Sequence, residues 1–110
     1  MNEYVFLYRG GERATSPELV QQILQKWGAW FQTIADKDRL VARGQPLDPT
    51  GKVVNAKRVV VDGPFAEAKD LVGGYSLVKA ANIEEALELA KGCPLLERGG
   101  QVEVRPVMKM

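Results

Sequence analysis

Two periods of hydrophobic spacing alternate along this chain. Tyr4 to Arg9 (YVFLYR) is a short aromatic and aliphatic run closed by Gly10-Gly11, which is the pattern of a strand, and apolar residues at both parities predict a central one. From Ser16 the spacing lengthens to a helical period, with Leu19, Val20, Ile23, Leu24, Trp27, Trp30, Phe31 and Ile34 on one stripe. Two caps compete for the start of this helix. Ser16 could cap it with Pro17 at the first helical position, or Thr15 could do so with Glu18 as a capping box. Leu40 to Ala42 predict a short strand, after which Gly44, Pro46, Pro49 and Gly51 punctuate a loop or wide hairpin. Lys52 to Val61 (KVVNAKRVVV) read as one further strand. It ends in a turn at Asp62-Gly63-Pro64-Phe65, because Gly63 tolerates positive φ and Pro64 has no N–H for a ladder. Leu71 to Lys79 make the next strand, with Gly73-Gly74 marking a bulge or a close backbone approach. Asn82 is placed to cap a second helix by accepting from the amide of Glu85, and Gly92 and Pro94 stop that helix. Gln101 to Val107 then alternate, Val102 and Val104 on one face and Glu103 and Arg105 on the other.

The predicted order is therefore βαβββαβ. Two helices can cover one face of a sheet, so the opposite face requires another cover or a polar, ligand-facing role. An α+β fold built on a ferredoxin-like split βαβ unit, its open sheet facing a second copy in a dimeric α/β barrel, meets both needs. At 110 residues the chain is expected to be a single domain, residues 1–110. A domain of that size gains from burial against a partner, so a homodimer is expected.

Charge narrows the classes of function. Fifteen basic residues against fourteen acidic ones, interspersed along the chain, leave no electrostatic footprint for nucleic acid. No run approaches the ~20 apolar residues of a membrane span, and the N-terminal residues lack a secretory pattern, so no membrane partner and a cytoplasmic location are expected. The single cysteine, Cys93, excludes an intrachain disulfide and cannot make a metal site alone. Its place after a helix C-terminus disfavours a thiolate, so an inert thiol is expected. The absence of histidine removes the usual base near neutral pH and the commonest metal ligand. The paired glycines lack the spacing of phosphate or dinucleotide loops, so neither a cofactor nor a metal is expected.

Asp62-Gly63-Pro64-Phe65-Ala66-Glu67, followed by Lys69 and Val72-Gly73-Gly74-Tyr75, resembles the DGPF branch of the YCII-related proteins. Tyr8-Arg9-Gly10, Gly44-Gln45-Pro46-Leu47, Gly92-Cys93-Pro94 and Val102 to Val107 resemble that family in the same order, over essentially the whole chain. The resemblance implies a ferredoxin-like fold, a dimeric α/β barrel and no settled activity for the branch. Wider relatives resemble lyases of small, often chlorinated aromatic compounds with a His-Asp pair. Laid over this chain, Asp36 falls near the acidic member and Trp27 near the histidine. An indole N–H donates but cannot take a proton, so that chemistry does not carry over.

Asp62 is the foremost catalytic candidate: its carboxylate either points into the open sheet face or accepts from the amides of its own turn. Asp36 is the second candidate. Glu67 and Lys69 either orient a polar ligand beside Asp62 or form surface pairs with each other and Arg58. Arg105 should face the inter-subunit interior, holding a ligand carboxylate or a neighbouring acid. Trp27 and Trp30 read as core or dimer interface, with Trp30 reaching the rim of a pocket, and Tyr75 either offers its hydroxyl to a ligand or is buried with a backbone partner. Three functions follow. The first is binding of a small organic ligand between the sheet and the partner subunit. The second is a cofactor-independent lyase or isomerase with an aspartate base; the third is a protein-interaction module whose outer edge strand recruits a partner by β-addition, its link to transcription being what the resemblance implies.

Overall fold

A computed structural model of the protein describes residues 1–67 and 69–110. Its elements are β1 (Asn2–Arg9), α1 (Pro17–Asp36), β2 (Leu40–Ala42), β3 (Gly51–Val54), β4 (Val60–Gly63), β5 (Val72–Ala80), α2 (Ile83–Ala90), a short 3-10 segment (Pro94–Arg98) and β6 (Gln101–Pro106). Strands β2, β5, β1 and β6 pair in that order as one antiparallel sheet, and β3 pairs with β4 alone. With the β3–β4 hairpin set aside, this is the split βαβ arrangement of a ferredoxin-like fold.

Strand β1 is central because its side chains are apolar at both parities. Tyr4, Phe6 and Tyr8 are buried beneath the helices, while Val5 and Leu7 are half-buried on the far side. Phe6 stands between Ser76 on β5 and Val104 on β6, and its ring stacks on that of Trp30 with centroids 6.1 Å apart. Trp30, Phe31 and Ile34 from α1 meet Ala86, Leu89 and Ala90 from α2 over this layer. The Trp30 indole N–H donates to the Leu89 carbonyl at 3.0 Å, so the two helices are joined by a hydrogen bond as well as by apolar contact.

Both helices start where local chemistry predicts. Ser16 Oγ accepts from the amide of Leu19 at 3.1 Å with Pro17 at the first position, which settles the choice between the two caps. Asn82 Oδ1 accepts from the amide of Glu85 at 2.9 Å. The bulge also forms where the glycines mark it: Tyr8 pairs with Gly74 and Arg9 with Val72, so Gly73 is the extra residue.

One expectation is corrected. Lys52 to Val61 do not form a single strand; they fold back as the β3–β4 hairpin with Val53 opposite Val61. Asn55 is the cause. Its side-chain oxygen accepts from the amides of Lys57 and Val59 at 3.0 and 3.1 Å, and Arg58 takes a positive φ of 65°. A side chain that satisfies the backbone locally competes with extension. The order of elements accordingly gains a strand.

On the open face of the sheet Val5 lies opposite Leu77 and Arg105, and Leu7 opposite Tyr75 and Glu103. Arg9 pairs with Glu103 at 2.9 Å beside them. The face is apolar at its centre and charged towards β6.

Candidate functional site

The chain leaving β2 runs beside the free edge of β5 and forms one wall of a cleft. Gln45 accepts from the amide of Tyr75 at 3.3 Å, the amide of Leu47 donates to Gly73 at 2.9 Å, and Pro46 bridges to Gly74. Gly44 makes so close an approach possible. Its φ is +73°, and a Cβ there would come within 1.8 Å of the Tyr75 carbonyl oxygen. Opposite this strap, Ile23, Leu24, Trp27 and Phe31 project from α1, with Tyr8, Tyr75 and Leu95 completing the lining of about 510 Å³.

The cleft is aromatic with one cation. Trp27 and Tyr8 meet edge to face at 4.8 Å, and the Arg43 guanidinium stands 5.1 Å over the Phe31 ring. The Tyr8 hydroxyl donates to Ser76 Oγ at 2.7 Å, and Ser76 in turn donates to the Arg43 carbonyl at 2.5 Å. Ser76 is fully buried, so this relay ties the floor of the cleft to the strap through the interior of the sheet. Burial drives the pKa of the Tyr8 phenol far above its ordinary value, outweighing the lowering from its bond to Ser76. It therefore keeps its proton and acts as a donor. Among the described residues that line the cleft there is no carboxylate.

Of the catalytic and ligand-binding candidates read from sequence, Tyr75 lines this cleft and the others do not; Trp27, read there as core or interface, lines it too. Asp62 sits on β4 of the hairpin with its side chain almost wholly exposed, paired at 3.0 Å with Lys52 directly opposite on β3. The hairpin turns it away from the sheet, so it neither enters the open face nor joins the cleft. Asp36 ends α1 in solvent and accepts from Gln32 Nε2 at 2.8 Å. Trp30 is buried in the core and does not reach the rim; Trp27, one turn earlier on the helix, holds that place. Arg105 is exposed on the open face opposite Val5. Glu67 and Lys69 are exposed in the connection before β5. Arg43 and Gln45 carry no local signal of this role, because the strap's position depends on pairing with β5, and Tyr8 reads in the sequence only as a residue of the first strand. Cys93 is buried, and burial pushes its thiol up to about 11.

The fold and cleft define a ferredoxin-like α+β protein with an aromatic recess beside its first helix. The chain belongs to the YCII-related family, whose domain matches residues 3–110. An uncharacterized protein, R00369, of Rhizobium meliloti (strain 1021) is 40% identical over 50 residues, which make up 44% of this chain and 40% of that relative. The match thus spans less than half of the relative's own length. Among solved structures, the 5-chloro-2-hydroxyhydroquinone dehydrochlorinase TftG of Burkholderia phenoliruptrix AC1100, in complex with 2,5-dihydroxybenzoquinone, aligns over 98% of this chain and 95% of its own. The TM-score is 0.50 at 16% identity, a likeness of fold. No helix among the described residues is long and apolar enough to cross a membrane.

Proposed function

We propose that this protein, a member of the DGPF branch of its family, binds a small, flat organic molecule in the cleft between α1 and the strap, and works as a homodimer. The observation that carries the reading is the recess itself. About 510 Å³ falls within the range of small-ligand sites, and aromatic walls with a single guanidinium suit a planar ring bearing an acidic substituent. A hydroxylated aromatic or quinone is the class favoured, in keeping with the molecule bound by the structural relative. The half-buried Val5, Leu7 and Leu77 on the open face support the homodimer, since a second copy is the cover that the helices do not supply. An aspartate-based lyase is less well supported: Asp36 and Asp62 both lie in solvent outside the recess.

Calorimetric titration with 2,5-dihydroxybenzoquinone, catechol and benzoate tests the binding reading. The native protein should give saturable heat with at least one of them, and Arg43→Ala should weaken that binding about threefold to tenfold, the worth of one charge contact at a partly open site. If none of these compounds binds at millimolar concentration, the reading fails. Light scattering should show twice the monomer mass at micromolar concentration.

A further inference from the structure

The β3–β4 hairpin is an uncovered arm. Residues 51–62 are all exposed except Val53, which is half-buried. Val54 and Val60, directly opposite one another, are 66% and 59% exposed, and Val59 is 52% exposed. A two-stranded hairpin is marginally stable alone in water, so a row of exposed β-branched residues on one is a surface that requires a cover.

The same chain carries a surface of matching character at the other edge of its sheet. A groove of about 310 Å³ lies between α2 and β6, lined by Leu87, Leu96, Val102 and Val104. Glu84 and Glu88 flank it, with Lys91 paired to Glu88 at 2.7 Å, so its rim is net acidic. The arm has the opposite sign, carrying Lys52, Lys57 and Arg58 against Asp62 alone. Strand order supplies the geometry. The arm hangs from the β2–β5 side and the groove lies at the β6 edge. A two-fold axis running along the strands, laying the two open faces together, sets the β2 edge of each chain over the β6 edge of the other, and from there the arm reaches round that edge to the groove on the helix side, where Val102 and Val104 lie.

We propose that the arm of each chain lies in the α2–β6 groove of a second copy, its valines on Leu87 and Leu96 and its basic tip beside Glu84. This rests on the homodimer reading above and adds to it a specific, reciprocal contact.

The test is oxidative cross-linking of the full chain carrying Val60→Cys and Leu87→Cys together, with each single variant alongside. Cys93 is buried and does not compete. The double variant should give a covalent dimer on a non-reducing gel, and each single variant only background. If light scattering shows a dimer but the double variant does not cross-link, the arm lies elsewhere and the proposal is overturned while the homodimer stands. Cross-linking of Val60→Cys alone shows the arms meeting each other and equally overturns it. A protein monomeric at all concentrations overturns both readings.

Discussion

Replacing Ser76 by alanine should be among the costliest single-atom deletions in this molecule. Ser76 is fully buried, accepts from the Tyr8 hydroxyl at 2.7 Å and donates to the Arg43 carbonyl at 2.5 Å. The variant leaves a phenol donor and a backbone acceptor without partners, and each such orphan costs about 1–3 kcal/mol. Allowing for some relaxation, Ser76→Ala should lose about 2–4 kcal/mol, a large fraction of the roughly 5–15 kcal/mol that holds an ordinary domain together. Tyr8→Phe removes only the donor and leaves Ser76 bonded to Arg43, so it should lose about 1 kcal/mol. In the double variant the phenol has already gone, and the combined loss should fall short of the sum by about 1 kcal/mol. Urea denaturation followed by tryptophan fluorescence measures all three, since Trp27 and Trp30 both lie beside Tyr8. Strict additivity, or a loss below about 0.5 kcal/mol for Ser76→Ala, would refute the relay as a structural link.

Other outcomes follow from the same geometry. Gly28 lies within α1 on the cleft wall, and a Cβ there meets nothing within 4 Å. Gly28→Ala should therefore raise stability by about 0.8 kcal/mol through helix propensity, seen as a Tm about 3–5 °C higher by circular dichroism. Gly28→Leu should keep the stability gain and block ligand heat in calorimetry. Asp62→Asn should change thermal stability by less than about 0.5 kcal/mol, because its pair with Lys52 is exposed on both sides; a larger loss would mean that this carboxylate has a partner besides Lys52. Burial raises the Cys93 thiol from 9.0 to about 11, so between those values the folded chain keeps a proton that the unfolded chain gives up. Stability should be independent of this group below pH 9 and fall as pH rises from 9 to 11; Cys93→Ala should make that fall shallower in urea titrations.

How much of this was legible in the sequence depends on how local each cause is. The cap at Ser16, the cap at Asn82 and the bulge at Gly73 rest on local residues, and the sequence marks Asn82 outright, narrows the first cap to Ser16 or Thr15, and narrows Gly73-Gly74 to a bulge or a close approach. The alternation of β6 likewise settles which face Glu103 and Arg105 share. The hairpin was hidden because five valines in KVVNAKRVVV outweigh a turn signal that resides in a single side chain, that of Asn55. Asp62 follows from that error. In one continuous strand its carboxylate would leave beside the sheet, whereas in a hairpin it faces Lys52 across the arm.

The cleft was hidden for a different reason, and that reason bears on what it is for. Its strap is held by backbone contacts to β5 across some thirty residues of sequence, and no periodicity reports such a seam. What the sequence does carry is a set of missing side chains around one space. Gly44 and Gly74 allow the strap to meet β5 closely, and Gly28 leaves the opposite wall open. The first two have a packing cause, since a Cβ at Gly44 collides with Tyr75 and one at Gly74 would lie 3.0 Å from the Gln45 carbonyl. Gly28 has none: its φ is ordinary, its surroundings are empty, and alanine would stabilise the helix. A glycine that costs helix stability and only keeps a recess open is the kind of residue a binding site retains against stability. It is also a stronger pointer to function here than any carboxylate in the chain.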